Sequence, residues 1–216
     1  MAATVRARPT ALSERKDAKR DVIIAGAKSV FLSNGFEATS MDAVALQAGV
    51  SKMTVYRHYG SKEALFAGVI ADLCSKIVDD DLGQIFSRPP RVALAAFARK
   101  MIDITFARET IELHRIVVAE SRRFPKLGRL FYSSGPEVCI TALETYFARN
   151  KQDLRFKVKN PRRAAEEFLE HLRGYAHLRV MLGMEKQPSS REIDARISSA
   201  VQHVIGRGNG DVWHRS

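Results

Sequence analysis

The 216 residues predict an all-α chain of about nine to ten helices, with a small N-terminal three-helix unit containing a helix-turn-helix joined to a larger helical domain. Three observations predict it. Apolar residues recur with helical period almost throughout. Pro89-Pro90, Pro125, Gly135-Pro136, Pro161 and Pro188 separate the periodic stretches. Only Leu154–Val158 alternates like a strand, and with nothing to pair with it reads as a loop.

Taken in order, residues 1–15 read as a flexible basic arm. Ile23, Ala27, Val30 and Phe31 then form one apolar stripe, so a first helix is expected over residues 14–34, stopped by Asn34-Gly35. Thr39-Ser40-Met41-Asp42 offers N-cap residues and a Thr39–Asp42 capping box for a short second helix that turns Val44 inward, with Met41 and Ala48 as further candidates. Ala48-Gly49-Val50-Ser51 makes a tight turn, in which Gly49 can take positive φ and Ser51 can cap a third helix over Lys52–Tyr59. Gly60 ends that helix, and Ser61 caps a fourth expected to run from Lys62 to about Phe86. Beyond Pro89-Pro90, helices are expected over residues 90–107, 108–123, 136–150, 161–183 and 190–206, with a short extra turn or helix from Pro125 to Tyr132. Residues 16–62 are the first domain, 63–206 the second, and 207–216 a frayed tail.

Forty-five per cent apolar and 27% charged residues suit a soluble globular protein. The net charge of +11 is less ordinary and points to an acidic partner such as nucleic acid. Residues 1–62 hold ten Lys/Arg against five Asp/Glu, so the N-terminal part is the more basic per residue. Cys74 and Cys139 lie far apart in apolar patterns without a CxxC motif, and read as buried thiols of a reduced protein rather than a disulfide or metal framework. No apolar run approaches a membrane span, and the first twenty residues lack the apolar core of a secretory signal. A cytoplasmic location with no membrane partner is expected.

The stretch Lys52–Tyr59 is too short to be a stable helix alone, and its outward positions are nearly all donors or cations. A short helix, a glycine turn and a second short helix form a helix-turn-helix, whose second helix can enter the DNA major groove. Lys52 can reach phosphate or a guanine edge, Thr54 a phosphate or a thymine methyl, and Tyr56 and His58 phosphate oxygens. Lys62 opens the next helix, where backbone N–H groups favour an anion. Val55 and Tyr59 face inward. The alternative from residue types alone is a polar, solvated helix.

The run GFEATSMDAVALQAGVSKMTVYRHYGSKEALF resembles the DNA-binding segment of the TetR/AcrR family of bacterial transcriptional regulators. The family's Gly-aromatic, Thr-Ser/Thr, Ala-Gly-Val-Ser, Tyr-x-His-aromatic and Ser-Lys-Glu-x-Leu groups stand here as Gly35-Phe36, Thr39-Ser40, Ala48–Ser51, Tyr56–Tyr59 and Ser61–Leu65. The match covers about residues 16–70. It departs at Met53, where the family often has Gly, at Val44-Ala45 in place of Ile-Ala, and at Gly60 in place of a polar residue. The resemblance implies double-stranded operator DNA as partner and Thr39, Ser40, Ser51, Lys52, Met53, Thr54, Tyr56, Arg57, His58 and Lys62 as candidate DNA-binding residues. HRIVVAESRRFPKLGRLFYSSGPE and NPRRAAEEFLEHLRG are similar to the C-terminal domain of AefR-like members, which implies a homodimer formed by the last long helices and a pocket for a small-molecule effector.

For that pocket the aromatic and apolar candidates are Phe97, Met101, Phe106, His114, Phe131, Tyr132, Tyr146 and Phe147, His114 being the most suited to a polar contact. Plain core is the competing reading for each. For the dimer interface the candidates are Phe168, Leu172, Tyr175, Val201 and Ile205, because the 161–183 segment carries more apolar residues than one buried stripe needs. Glu167 and His171 share metal-ligand spacing on one helix but lack a second pair, so no metal or other cofactor is expected. GRGNG at 206–210 follows no strand, and no nucleophile, base and orienting group stand together. The expected function is therefore a ligand-responsive, DNA-binding regulator and not an enzyme. Two alternatives remain open: a nucleic-acid binder without sequence preference, and an enzyme or carrier with a vestigial helix-turn-helix.

Overall fold

The computed structural model describes residues 11–75, 81–150 and 158–205, with side chains from Ala18 onward. These residues form helices only, and the chain divides into two compact units, Met1–Val69 and Ile70–Ser216.

The first unit holds α1 (Ala11–Asn34), α2 (Met41–Gln47), α3 (Lys52–Tyr59) and the first half of α4 (Lys62–Ser75). α1 begins at Ala11, so part of the stretch expected to be a flexible arm is helical. Its core is built by Ile23, Ala27 and Phe31 of α1, Phe36 of the following turn, Val44 of α2, Val55 of α3, and Leu65 and Phe66 of α4, all fully buried. Phe31, Phe36 and Phe66 form an aromatic cluster, with Phe66 edge-on to both others at 5.0 and 5.6 Å between ring centres. Gly26 lets α1 and α2 approach closely, because a Cβ there would sit 2.9 Å from the Ala48 Cβ.

The second unit contains the rest of α4, then α5 (Leu82–Phe86), α6 (Pro90–Thr105), α7 (Arg108–Glu120), α8 (Pro125–Ser134), α9 (Pro136–Arg149), α10 (Pro161–Met181) and α11 (Ser190–Ile205). Proline occupies the first position of α6, α8, α9 and α10, where its missing N–H is not needed. α4 is described as far as Ser75 and α5 starts at Leu82 after a turn at Asp81, so the single helix expected from Lys62 to Phe86 does not run unbroken to Phe86; residues 76–80 lie outside the described residues. The strand-like fragment at 154–158 and the tail at 207–216 lie outside the described residues, apart from Val158.

α10 is the centre of this unit and packs against α6, α7, α9 and α11. Arg162 on α10 joins it to α9 through a two-pronged ion pair with Glu137, at 2.8 Å for each prong. Arg115 of α7 donates to the Val180 and Met181 carbonyls at the far end of α10, at 2.8 and 2.9 Å, which satisfies two of its last acceptors. Gly174 breaks the regularity of α10, with φ of 47° and ψ of −162°. That conformation is strained for any residue with a side chain.

Candidate nucleic-acid interface and ligand cavity

α3 is anchored by Val55, which is 0% exposed, and by Tyr59, whose ring lies across α4 at Gly68, where a Cβ would meet Tyr59 Cε1 at 2.7 Å. Anchoring from one side leaves the other free. Lys52, Met53, Tyr56 and Arg57 are exposed, and Thr54 and His58 are partly so. Both ends of this short helix are fixed by side chain and backbone. Ser51 Oγ accepts from the Thr54 N–H at 3.2 Å and bonds the Thr54 hydroxyl at 2.8 Å, while Gly60 turns the chain away with φ of 70°. Gly49 takes φ of 64° in the turn before it, and Ser61 Oγ accepts from the Ala64 N–H at the start of α4.

Four candidate contact residues have further partners inside the unit. Thr39 is 3% exposed and its hydroxyl donates to the Gly35 carbonyl at 2.6 Å, so its side chain secures the turn before α2 rather than facing outward. The cap of α2 is Ser40, whose Oγ accepts from the Ala43 N–H at 3.1 Å, in place of the expected Thr39–Asp42 box. The Lys62 ammonium donates to the Glu37 carbonyl at 2.8 Å and lies 4.7 Å from the centre of the Phe36 ring, so it ties that turn to α4. Lys52 Nζ pairs with Asp42 Oδ2 at 2.9 Å, and its hydrogen bond and charge raise the lysine pKa. Both partners of that pair are mostly exposed, so water can replace either. The outward surface of α3 therefore carries donors and cations in hydration range.

In the second unit, α4, α6, α7, α8, α9 and α10 enclose a cavity of about 320 Å³, whose walls are chiefly apolar. Of the pocket candidates, Met101, His114, Phe131 and Tyr132 line it. Phe97, Phe106, Tyr146 and Phe147 do not; they are at most 4% exposed and fill the core, Tyr146 stacking on Phe86 at 4.3 Å. Among the further lining residues, which periodicity did not single out, are Thr110, Cys74, Cys139, Arg173 and His177. His114 stacks on Phe131 with ring centres 5.0 Å apart and lies 5.3 Å from His177. Burial lowers both histidine pKa values, and that of His177 to about 4, so both rings are neutral at pH 7. Arg173 is then the formal positive charge of the described lining. Thr110 Oγ1 is buried with no hydrogen-bond partner among the described residues, an uncommon state for a buried hydroxyl. The nearby Phe106 carbonyl, four residues back, accepts instead from Gln187 Nε2 at 2.9 Å.

Four of the five dimer candidates are likewise core: Phe168, Leu172, Val201 and Ile205 are at most 8% exposed. α10 needs that much apolar surface because it is covered on several sides. Tyr175, by contrast, is 79% exposed, and the exposed Leu178 and Leu182 follow it at helical spacing. Glu167 pairs with Arg163 at 2.8 Å and with His203 at 3.8 Å, while His171 bonds Ser199, so the two residues with metal-ligand spacing have separate partners. None of the described helices is long and apolar enough to cross a membrane.

Against this geometry stand the similarities to known proteins. The profile of bacterial regulatory proteins of the tetR family matches residues 23–69, and that of the AefR-like transcriptional repressor C-terminal domain matches residues 92–207. Among solved structures, a flavonoid-responsive regulator, FrrA, is 36% identical, with 89% of this chain and 100% of that one covered at a TM-score of 0.65. A TetR-family transcriptional regulator from Mesorhizobium loti is 27% identical over 88% of this chain and 96% of that one, at a TM-score of 0.73. Curated relatives include the transcriptional regulator RutR of Escherichia coli, 31% identical over 119 residues, and the transcriptional activator FasR of Mycolicibacterium smegmatis, 38% identical over 55 residues. The matched stretches span 49% and 25% of those two relatives. With the N-terminal profile placed on the helix-turn-helix and the C-terminal profile on more than half of the residues, the chain belongs to the TetR family of DNA-binding transcriptional regulators and has an AefR-like C-terminal domain.

Proposed function

We propose that the chain is a ligand-responsive repressor that binds a palindromic operator as a homodimer and is released by a small aromatic effector. The observation that carries the DNA reading is the one-sided anchoring of α3: Val55 is wholly buried, and Lys52, Met53, Tyr56 and Arg57 are left outward. Ser40, Ser51, Thr54 and His58 add donors at the rim of that surface, and Thr39 and Lys62 hold its frame. Two recognition helices related by a two-fold axis enter successive major grooves, with half-sites about one helical turn apart or somewhat more. The exposed Tyr175, Leu178, Leu182 and Met184 supply the apolar surface for the partner copy.

The cavity supports the effector reading. Stacked His114 and Phe131 suit a planar ring, the Thr110 hydroxyl lacks a partner among the described residues, and Arg173 suits an acidic hydroxyl or carboxylate. The flavonoid-responsive relative points to the same class, planar hydroxylated aromatics. An effector that favours a conformation with mis-spaced recognition helices weakens DNA binding by the same factor by which DNA weakens effector binding. α4 is the element for that coupling, since one continuous helix carries Leu65 and Phe66 of the first unit and the cavity residues Ile70, Leu73 and Cys74. A repressor of this kind acts in the cytoplasm.

The test is selection of bound fragments from random double-stranded DNA, followed by titration with a panel of flavonoids. The proposal expects an enriched inverted repeat, lost on Lys52→Ala and Tyr56→Ala, and flavonoid-dependent release. Equal retention of all sequences would favour a binder without sequence preference, and tight effector binding with no DNA affinity at low salt would favour a carrier or enzyme.

A further inference from the structure

The chain has two cysteines, and both stand in the wall of the cavity. Cys74 comes from α4 and Cys139 from α9, far apart in sequence, yet both line the cavity where α4 meets the start of α9, and each thiol acts on the pKa of the other. Gly135 allows the approach, because a Cβ there would lie 3.3 Å from Cys74 Sγ and 3.1 Å from the Phe131 carbonyl. The two sulfurs differ. Cys74 is partly exposed and Cys139 is 1% exposed. The hydrogen bond with Cys139 lowers the Cys74 pKa, helped by the positive charge of Arg173 and opposed by burial. The same hydrogen bond, with burial, pushes Cys139 up. The difference in exposure, with Cys74 open to the cavity and Cys139 behind it in the core, separates an attacking thiol from a resolving one.

We propose that Cys74 and Cys139 are a redox-active dithiol, which a small hydroperoxide entering the cavity converts to a disulfide joining α4 to α9. The Cys74 thiolate attacks a peroxide oxygen, the O–O bond breaks, and the departing oxygen takes a proton to leave as water or an alcohol. Cys74 is then a sulfenic acid. The Cys139 sulfur attacks the Cys74 sulfur, the S–O bond breaks, and hydroxide leaves with the Cys139 proton as water. Two thiols are oxidised by two electrons and one peroxide is reduced; a small-molecule thiol restores the pair by exchange. The chemistry stands independently of the proposed function; only its consequence, a lock on the helix that continues into the DNA-binding unit, rests on that reading.

The experiment uses the full chain and hydrogen peroxide in modest excess. After exposure the protein is denatured, its free thiols are alkylated, and its peptides are mapped by mass spectrometry. Both thiols are expected to disappear together into one intrachain Cys74–Cys139 peptide, recovered as free thiols by dithiothreitol. In Cys139→Ser, Cys74 is expected to stop at a sulfenic acid that dimedone traps; in Cys74→Ser, Cys139 is expected to stay reduced. A thermal melt checks that each variant is folded, and the wild-type mapping needs neither. Persistence of two free thiols, a bond between separate chains, or oxidation of Cys139 in Cys74→Ser overturns the proposal. DNA affinity of the oxidised chain, measured alongside, reports on the regulatory consequence alone.

Discussion

Thr110→Val exchanges a hydroxyl for a methyl of nearly the same shape at the one cavity position where a buried oxygen has no protein partner among the described residues. A buried hydroxyl left unpaired costs about 1–3 kcal/mol relative to a bonded one, and replacing it by an apolar group of the same shape removes that cost. Both residues are β-branched, so helix propensity changes little. The Phe106 carbonyl, to which a helical threonine could turn back, already accepts from Gln187, so little is lost there. The ligand-free variant is therefore expected to be more stable than the wild type by about 1–2 kcal/mol, or about 2–8 °C in Tm for a chain of this size. Thermal unfolding by circular dichroism, with urea unfolding to check that the m-value is unchanged, reads it directly. The same substitution should weaken binding of any effector that hydrogen-bonds the hydroxyl. A Tm lowered by several degrees would refute the reasoning, because it would mean the hydroxyl is already satisfied in the free protein.

Other substitutions test neighbouring claims. Ser51→Ala removes the cap of α3 and should cost about 1 kcal/mol of stability; DNA affinity should fall about fivefold if a formed α3 is required, whereas Ser51→Thr should keep most of both, as anisotropy titration will show. Asp42→Asn releases Lys52 and should tighten DNA binding severalfold, and the gain should shrink markedly in a Lys52→Ala background; equal gains in both would mean that the exposed ion pair has no part. Stability should decline as pH falls from 7 to 5. His177 has a folded pKa of about 4, below its ordinary value of 6.5, so the unfolded chain binds more protons in that window and stability is lost on acidification. His177→Phe should flatten the decline, as seen in Tm against pH.

Local punctuation made much of the first unit legible. Gly49, Ser51, Gly60 and Ser61 each act through their own backbone or the next turn, and short-range signals of that kind are written in the sequence. The prolines that open α6, α8, α9 and α10 are of the same kind. Contacts between distant residues were not legible. Phe97 and Phe131 look alike as periodic aromatics, yet one fills the core and the other lines the cavity, because the difference lies in what neighbouring helices leave unfilled. The surplus of apolar residues on α10 divides in a way that periodicity did not show: Phe168 and Leu172 are covered by other helices, whereas Tyr175 and Leu178 are exposed. Cys74 with Cys139, and Lys52 with Asp42, meet only in three dimensions. Gly174 carried an unused signal: a glycine inside a helical pattern often marks a special conformation, and here it adjoins cavity-lining Arg173 on one side and exposed Tyr175 on the other.

The most direct test is nuclease footprinting of the full chain on DNA recovered by selection, at moderate salt with excess random competitor. The DNA-binding account expects one protected inverted repeat of roughly 15–30 base pairs, lost in Lys52→Ala, with log affinity falling against log salt at a slope of roughly −5 to −9 if a dimer neutralises six to ten phosphates. Uniform protection at all sequences, or a footprint unchanged by Lys52→Ala and Tyr56→Ala, would contradict it.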